Sequence, residues 1–109
     1  MKTIKKVIRD GKVAVLYSPG FRFGAGWYTW NRNYPECIFS PEIVALVESD
    51  KRDEITDEYA EELFGSDYFY TGGAHDLEIE WLPEGTQFTI YEYDGSESIK
   101  LISDLSIIA

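Results

Sequence analysis

The chain has 109 residues, 44% of them hydrophobic, and its 20 acidic and 10 basic residues give a net charge of −10. This length allows one domain with one core and excludes a second domain. The single cysteine excludes an internal disulfide, and no stretch approaches the roughly 20 apolar residues of a membrane span. We therefore expect a cytoplasmic protein without a secretory signal and without a membrane partner.

The charge is unevenly distributed along the chain. Residues 1–34 carry seven bases and one acid, whereas residues 35–109 carry three bases and nineteen acids. Such an acidic body repels nucleic acid and attracts basic proteins. An acidic surface that serves only solubility explains the charge equally well.

The first predicted element is a β-hairpin. Asp10 and Gly11 form a turn signal between residues 5–9 and residues 13–16, because two-residue hairpin loops require positive φ. The second run is continuously apolar, which indicates a central strand covered on both faces. We expect the basic hairpin to face the acidic body, either within one chain or between the copies of a homodimer.

An aromatic and glycine-rich segment follows, "YSPGFRFGAGWYTWN", over residues 17–31. Glycine loops can aim backbone N–H groups at a phosphate, but the dinucleotide fingerprint requires a third glycine where this chain has Thr29. The letters "WYTW" favour a short strand, with Trp27 and Trp30 on opposite sides. We expect this part to be mostly core and the tip, residues 21–26, to be exposed.

Two short helices come next. Ser40 and Pro41 are typical of a helix start, Thr56 begins a second helix, and Gly65 ends it. The second helix carries an acidic stripe, which is either a solvated face or a binding face. The stripe consists of Glu54, Asp57, Glu58, Glu61 and Glu62.

Three strands are predicted after the helices. "LEIEWL" alternates apolar residues with Glu78 and Glu80, and two further strands, "TQFTIYEY" and "SIKLI", follow turn signals. The predicted fold is α+β: an N-terminal β-hairpin, two short helices and a C-terminal three-stranded antiparallel meander in one mixed or antiparallel sheet. All 109 residues belong to a single domain.

No residue pattern indicates catalysis, a metal or a cofactor. His75 is the only histidine, and its neighbour Asp76 points away from it on an extended chain, so a surface position is favoured over a general base. One cysteine and one histidine give no zinc spacing. Cys37 lies beside apolar residues, which favours a small buried side chain over a nucleophile.

Two motifs carry a resemblance. The pattern "SPGF…GAGWYTWN" with "TGGAHDLEIEWLPEGTQF…YDGSES" resembles, across nearly the whole chain, small acidic proteins of bacteria and their phages or prophages, for which no activity is established. The resemblance therefore brings no catalytic residue. In some of these similar proteins the first motif runs as "SPGFGAGWYTWN". Compared with that pattern, Arg22 and Phe23 are an insertion at the tip of the loop.

These observations favour a small, non-enzymatic binding protein. The leading hypothesis is a phage or prophage inhibitor of a basic nucleic-acid-handling protein, similar in size and acidity to anti-CRISPR proteins, without direct contact to nucleic acid. The predicted partner-binding residues are Arg22, Phe23, Trp27, Trp30, Glu58, Glu61, Glu62, Glu78 and Glu80.

Two alternatives belong to other classes of protein. One is an immunity protein against a basic toxin, which shares almost all of these features. The other is a small-molecule binder or enzyme with a pocket around Arg22, Trp27, Trp30 and His75. About two-thirds of the rings should in any case belong to the core.

Overall fold

A computed structural model of the chain describes residues 4–20, 26–93, 96–101 and 107–108. Within these ranges the chain forms six β-strands and two α-helices, joined in part by short 3-10 turns. In chain order the elements are β1 (Ile8–Arg9), β2 (Lys12–Tyr17), α1 (Pro41–Glu48), α2 (Asp57–Phe64), β3 (Glu78–Pro83), β4 (Gln87–Tyr93), β5 (Ser96–Leu101) and β6 (Ile107–Ile108). The predicted α+β class is confirmed.

The first sheet contains β1, β2 and β3 in that order, and both of its pairs are antiparallel. Asp10 and Gly11 have φ angles of 53° and 75°, the two positive values that a type I′ hairpin turn requires. Residues 13–16 of β2 are fully buried, which explains why this run is continuously apolar. The predicted hairpin and its central strand are confirmed.

The last strands do not form the predicted meander in a single sheet. β3 pairs with β2, whereas β4 pairs with β5 and β6 in a second antiparallel sheet. The reason lies in β2, whose buried backbone groups need partners at both edges. β1 contributes two residues to one edge, and β3 pairs with all six residues of β2 along the other. The sheets meet where the Glu97 N–H donates to the Ser18 carbonyl at 2.7 Å.

Both helices begin where the sequence predicts, and α2 also ends at the predicted glycine. The Ser40 hydroxyl accepts a hydrogen bond from the Ile43 N–H in α1, and Pro41 occupies the first helical position. The Thr56 hydroxyl accepts from the Tyr59 N–H in the same way, at the start of α2. Gly65 ends α2 with a φ of 68°, a left-handed conformation that glycine adopts without strain.

The core fills the space between the helices and the sheets. Of the fifteen described rings, five are buried, five are partly buried against the core, and five are exposed. Phe64 stacks on Phe69 with their centroids 4.7 Å apart, and Phe39 meets Phe88 edge to face. The expected two-thirds share of core rings therefore holds for the described residues.

Candidate partner-binding site

The strand predicted for residues 27–30 is wrong. Tyr28–Trp30 form a 3-10 turn, which the Asn31 N–H closes by donating to the Tyr28 carbonyl at 2.9 Å. A strand would need a neighbour for its backbone groups. Here the Tyr28 carbonyl accepts locally, and two polar side chains, Glu97 and Asn31, bind other backbone groups of the segment.

The Glu97 side chain of β5 is 1% exposed and binds three backbone amides of the segment. One carboxylate oxygen accepts from the Ser18 N–H at 2.8 Å. The other accepts from the Trp27 N–H at 2.9 Å, and from the Thr29 N–H and hydroxyl at 2.8 Å each. These neutral donors converge on the buried charge as they would on a bound anion. The glycine-rich segment thus does aim N–H groups at an anion, but that anion is the chain's own carboxylate.

Sequence reasoning missed Glu97, although the sequence contains a signal. In "SESIK" the strand period of two places Glu97 on the same face as Ile99, with Ser96 and Ser98 on the other. A lone acid on the half-buried face of a strand indicates a buried carboxylate that needs donors. Its partners lie about 70 residues away in the sequence, so no local pattern identifies them.

Asn31 attaches the end of the same segment to a second loop. Its side-chain amide donates to the Trp27 carbonyl at 2.7 Å and to the Tyr70 carbonyl at 2.8 Å. Its side-chain oxygen accepts from the Tyr70 N–H at 2.9 Å. The Asn31 side chain is buried. Its two hydrogen bonds satisfy the N–H and carbonyl of Tyr70, as a neighbouring strand would.

These two attachments hold an exposed tryptophan between them. Trp30 is 46% exposed, and its neighbours in the chain are Thr29, bound to Glu97, and Asn31, bound to Tyr70. The Trp30 and Tyr70 rings stack with centroids 5.0 Å apart and planes inclined by 27°. Trp30 is therefore presented to solvent by anchored backbone on both sides.

Gly26 makes room for the Trp30 ring. A Cβ atom at position 26 would lie 2.0 Å from Cδ1 of Trp30 and 2.7 Å from the Thr29 hydroxyl, which binds Glu97. Real side chains do not approach so closely, so a larger residue would displace the indole or the hydroxyl. Glycine at this position is a packing requirement.

The loop that carries Tyr70 is joined to the first turn of the acidic helix α2. The Thr71 hydroxyl, directly after Tyr70, donates a short hydrogen bond to the Asp57 carboxylate in the first turn of α2. Glu58 and Glu62 are exposed on the same helix, and Glu61 is partly buried. Tyr68 is 90% exposed on the loop that leads to Tyr70. We define the aromatic-acidic surface as Trp30, Tyr68, Tyr70, Asp57, Glu58 and Glu62.

The remaining predicted site residues lie elsewhere. Trp27 is fully buried, and its indole N–H donates to the Cys37 carbonyl at 3.0 Å, so its ring offers no surface to a partner and the predicted contact is corrected. Glu78 and Glu80 are exposed on β3, where burial and then these carboxylates raise the pKa of Tyr17. Arg22 and Phe23 lie outside the described residues.

The described residues of the predicted small-molecule pocket do not surround a common cavity. Trp27 is in the core, Trp30 is on the surface, and His75 is exposed on the 3-10 turn Ala74–Asp76. The Pro19-Gly20 stretch does approach this turn, because a Cβ at Gly20 would lie 2.4 Å from the Asp76 carboxylate. The two glycine-containing loops therefore pack on each other.

The basic hairpin pairs with α1 of the same chain. Arg9 donates to both carboxylate oxygens of Glu48, at 2.5 and 3.0 Å, and its guanidinium lies 5.3 Å from the centre of the Trp81 ring. The side-chain hydrogen bond raises the pKa of Arg9 and lowers that of Glu48. At this position the hairpin has the expected internal acidic counterpart.

Cys37 should be inert toward thiol reagents. Burial, and then the nearby Glu97 carboxylate, raise the pKa of its thiol well above the ordinary value of 9.0, and the thiolate is the reactive form. We expect modification by a disulfide reagent at pH 8 to be at least about 100-fold slower than in urea-unfolded chain, with a rate set by unfolding. Rapid labelling of folded protein would contradict the buried position.

The same pKa shift has a consequence for stability. Because the thiol pKa is higher in the folded than in the unfolded chain, its contribution to stability is complete below the unfolded pKa and decreases as pH rises above it. The raised pKa values of Tyr17 and Tyr59 act in the same direction at higher pH. Urea unfolding at pH 8 and pH 10 measures the combined loss.

No protein-family model matches this chain, and no curated protein or solved structure matches it. Among the described residues no group of three or more His, Cys, Asp or Glu side chains is placed to hold a metal ion. No helix in the same ranges is long and apolar enough to cross a membrane. The aromatic-acidic surface is therefore the candidate functional site.

Proposed function

We propose that this chain is a non-enzymatic binding protein of the cytoplasm whose aromatic-acidic surface binds a basic protein. The best-supported role is that of a phage or prophage inhibitor, which blocks a nucleic-acid-handling protein by placing carboxylates where phosphates would bind. The resemblance to small acidic proteins of bacteria and phages agrees with this role but carries no activity of its own.

The observation that supports the proposal is the anchoring of Trp30. An exposed aromatic side chain usually loses conformational freedom when a partner binds, at a cost of about 0.5–1.5 kcal/mol. Here Glu97 and Asn31 fix the backbone on both sides of Trp30, and Tyr70 stacks on its ring. Tryptophan and tyrosine are the side chains most often found at the centre of interfaces. A preorganised, exposed pair of such rings next to carboxylates suits a basic partner.

A capture experiment tests the proposal. Immobilised wild-type chain and the Trp30→Ala variant are exposed to bacterial lysate, and bound proteins are eluted with NaCl. We expect the wild type to retain a basic protein that elutes by about 1 M salt, where the Debye length falls to about 3 Å. The variant should retain much less of it.

The identity of the captured protein distinguishes the possible roles. A nucleic-acid-handling protein supports the inhibitor, whereas a basic toxin supports the immunity protein. Equal retention by wild type and variant would remove Trp30 from the contact. Retention that is insensitive to salt would show that electrostatic attraction does not hold the partner.

A further inference from the structure

The Trp30 ring has one face that the described residues leave open. Tyr70 stacks on the other face, and Gly26 lies against the edge that carries Cδ1 and Nε1. With 46% of the residue exposed, solvent reaches the remaining face. An aromatic face presents negative charge density, so the open side of Trp30 attracts a cation.

Other rings of the chain already carry cations on their faces. Guanidinium groups lie 5.3 Å from the ring centres in the pairs Arg9–Trp81 and Arg32–Tyr28. Lysine ammonium groups cover Phe39 and Tyr91 in the same way. Among the described residues no cation lies over Trp30, although tryptophan is the best cation-binding type of ring.

We propose that the open face of Trp30 binds an arginine side chain of the basic partner, with the guanidinium stacked on the indole. This inference rests on the proposed function and specifies the chemistry of the partner. A guanidinium is planar and weakly hydrated, so it stacks on a ring with little loss of hydration. It also offers several donors in a fixed plane for carboxylates of the aromatic-acidic surface. An ammonium group is more strongly hydrated and does not stack.

The anchoring of Trp30 makes this preference measurable. A mobile ring would adapt to lysine and arginine alike, whereas a ring fixed by its backbone and by Tyr70 offers one flat surface. The charge around the site attracts either cation equally. The stacking preference therefore appears as a ratio of two affinities, separate from the overall electrostatic attraction.

The test compares short synthetic peptides of equal charge. Three labelled nonapeptides contain four arginines, four lysines or four neutral citrullines, each separated by glycine or serine, and their binding is measured by fluorescence anisotropy at low salt. We expect the arginine peptide to bind about two- to fivefold more tightly than the lysine peptide, the range of an exposed cation–π contact. The citrulline peptide should bind more weakly than both.

Variants assign the preference to one ring. Trp30→Ala should reduce the arginine-to-lysine ratio to about one while the charge-driven binding of both peptides remains. Trp30→Phe keeps a smaller ring and should retain part of the arginine-to-lysine ratio. This intermediate result would tie the loss in Trp30→Ala to the ring and not to a folding defect. Trp81→Phe is the matched control, because Arg9 already covers that ring, and it should leave the ratio unchanged.

The outcomes separate this inference from the proposed function. A wild-type ratio of one, or a ratio that survives in Trp30→Ala, would overturn the arginine site while leaving an acidic binding surface in place. Failure of both charged peptides to bind at low salt would overturn the proposed function itself. Trp30 could also contact a second copy of this chain, and sedimentation of the chain alone tests this. A dimer that dissociates in the Trp30→Ala variant would assign the ring to the dimer interface and exclude the arginine site.

Discussion

Replacing Glu97 with alanine should destabilise the protein by about 2–6 kcal/mol, because each buried donor left without an acceptor costs about 1–3 kcal/mol. The substitution leaves the amides of Ser18 and Trp27 buried without an acceptor and removes both bonds to Thr29. A domain of this size is stable by about 5–15 kcal/mol, so a large part of the total would be lost. Urea unfolding with an unchanged m-value measures the difference.

Two controls make this expectation specific to the buried carboxylate. Glu92 lies directly opposite Glu97 on the neighbouring strand but is exposed, and Glu92→Ala should change stability by less than about 1 kcal/mol. In the Glu97→Gly variant, formate should restore part of the lost stability relative to chloride at equal ionic strength, because a small carboxylate can occupy the vacated donors. A Glu97→Ala variant as stable as the wild type would mean that these amides find other partners.

Reversing charges on α2 should reduce binding of the basic partner about 100-fold at low salt. Glu58→Lys with Glu62→Lys replaces two exposed carboxylates of the aromatic-acidic surface by cations, which repel a basic partner where the wild type attracts it. The two changes have opposite effects on the helix dipole, since one lies near the start and the other near the end of α2. The fold should therefore tolerate them together.

The matched control reverses the same number of charges on β3. Glu78→Lys with Glu80→Lys gives the same net charge but changes residues opposite Tyr17 and Val15 in the first sheet. We expect this pair to weaken binding of the captured partner or of the arginine peptide much less than the α2 pair. An equal loss would show that binding follows the net charge of the whole chain and that α2 is not the contact.

Local sequence signals predicted most of the elements because their physical causes are local. The Asp10-Gly11 turn, the hydroxyl cap at Ser40 and the glycine after α2 each depend on the φ angle or hydrogen bond of a residue and its near neighbours. The alternation in β3 placed Glu78 and Glu80 on the surface in the same way. These features need no knowledge of the tertiary structure.

The candidate site was only partly predictable. Trp27 and Trp30 are alike in sequence context, yet one is fully buried and the other is half exposed. The difference arises because the segment curves into a 3-10 turn around the Glu97 carboxylate, so the strand-like alternation assumed for "WYTW" does not apply. Glu97 lies about 70 residues further along the chain, so no pattern within the segment predicts its contact.

By itself, the sequence determined the α+β class, the hairpin, both helices with their caps, and the acidic character of the surface, since these follow from composition, period and turn chemistry. The tertiary structure decided which strand covers the second edge of β2, and it brought Ser18, Trp27 and Thr29 to the Glu97 carboxylate. Those pairings join residues 68–79 positions apart. They depend on which buried donors and acceptors meet after the chain has folded, because a buried polar group must be satisfied wherever its partner lies in the sequence.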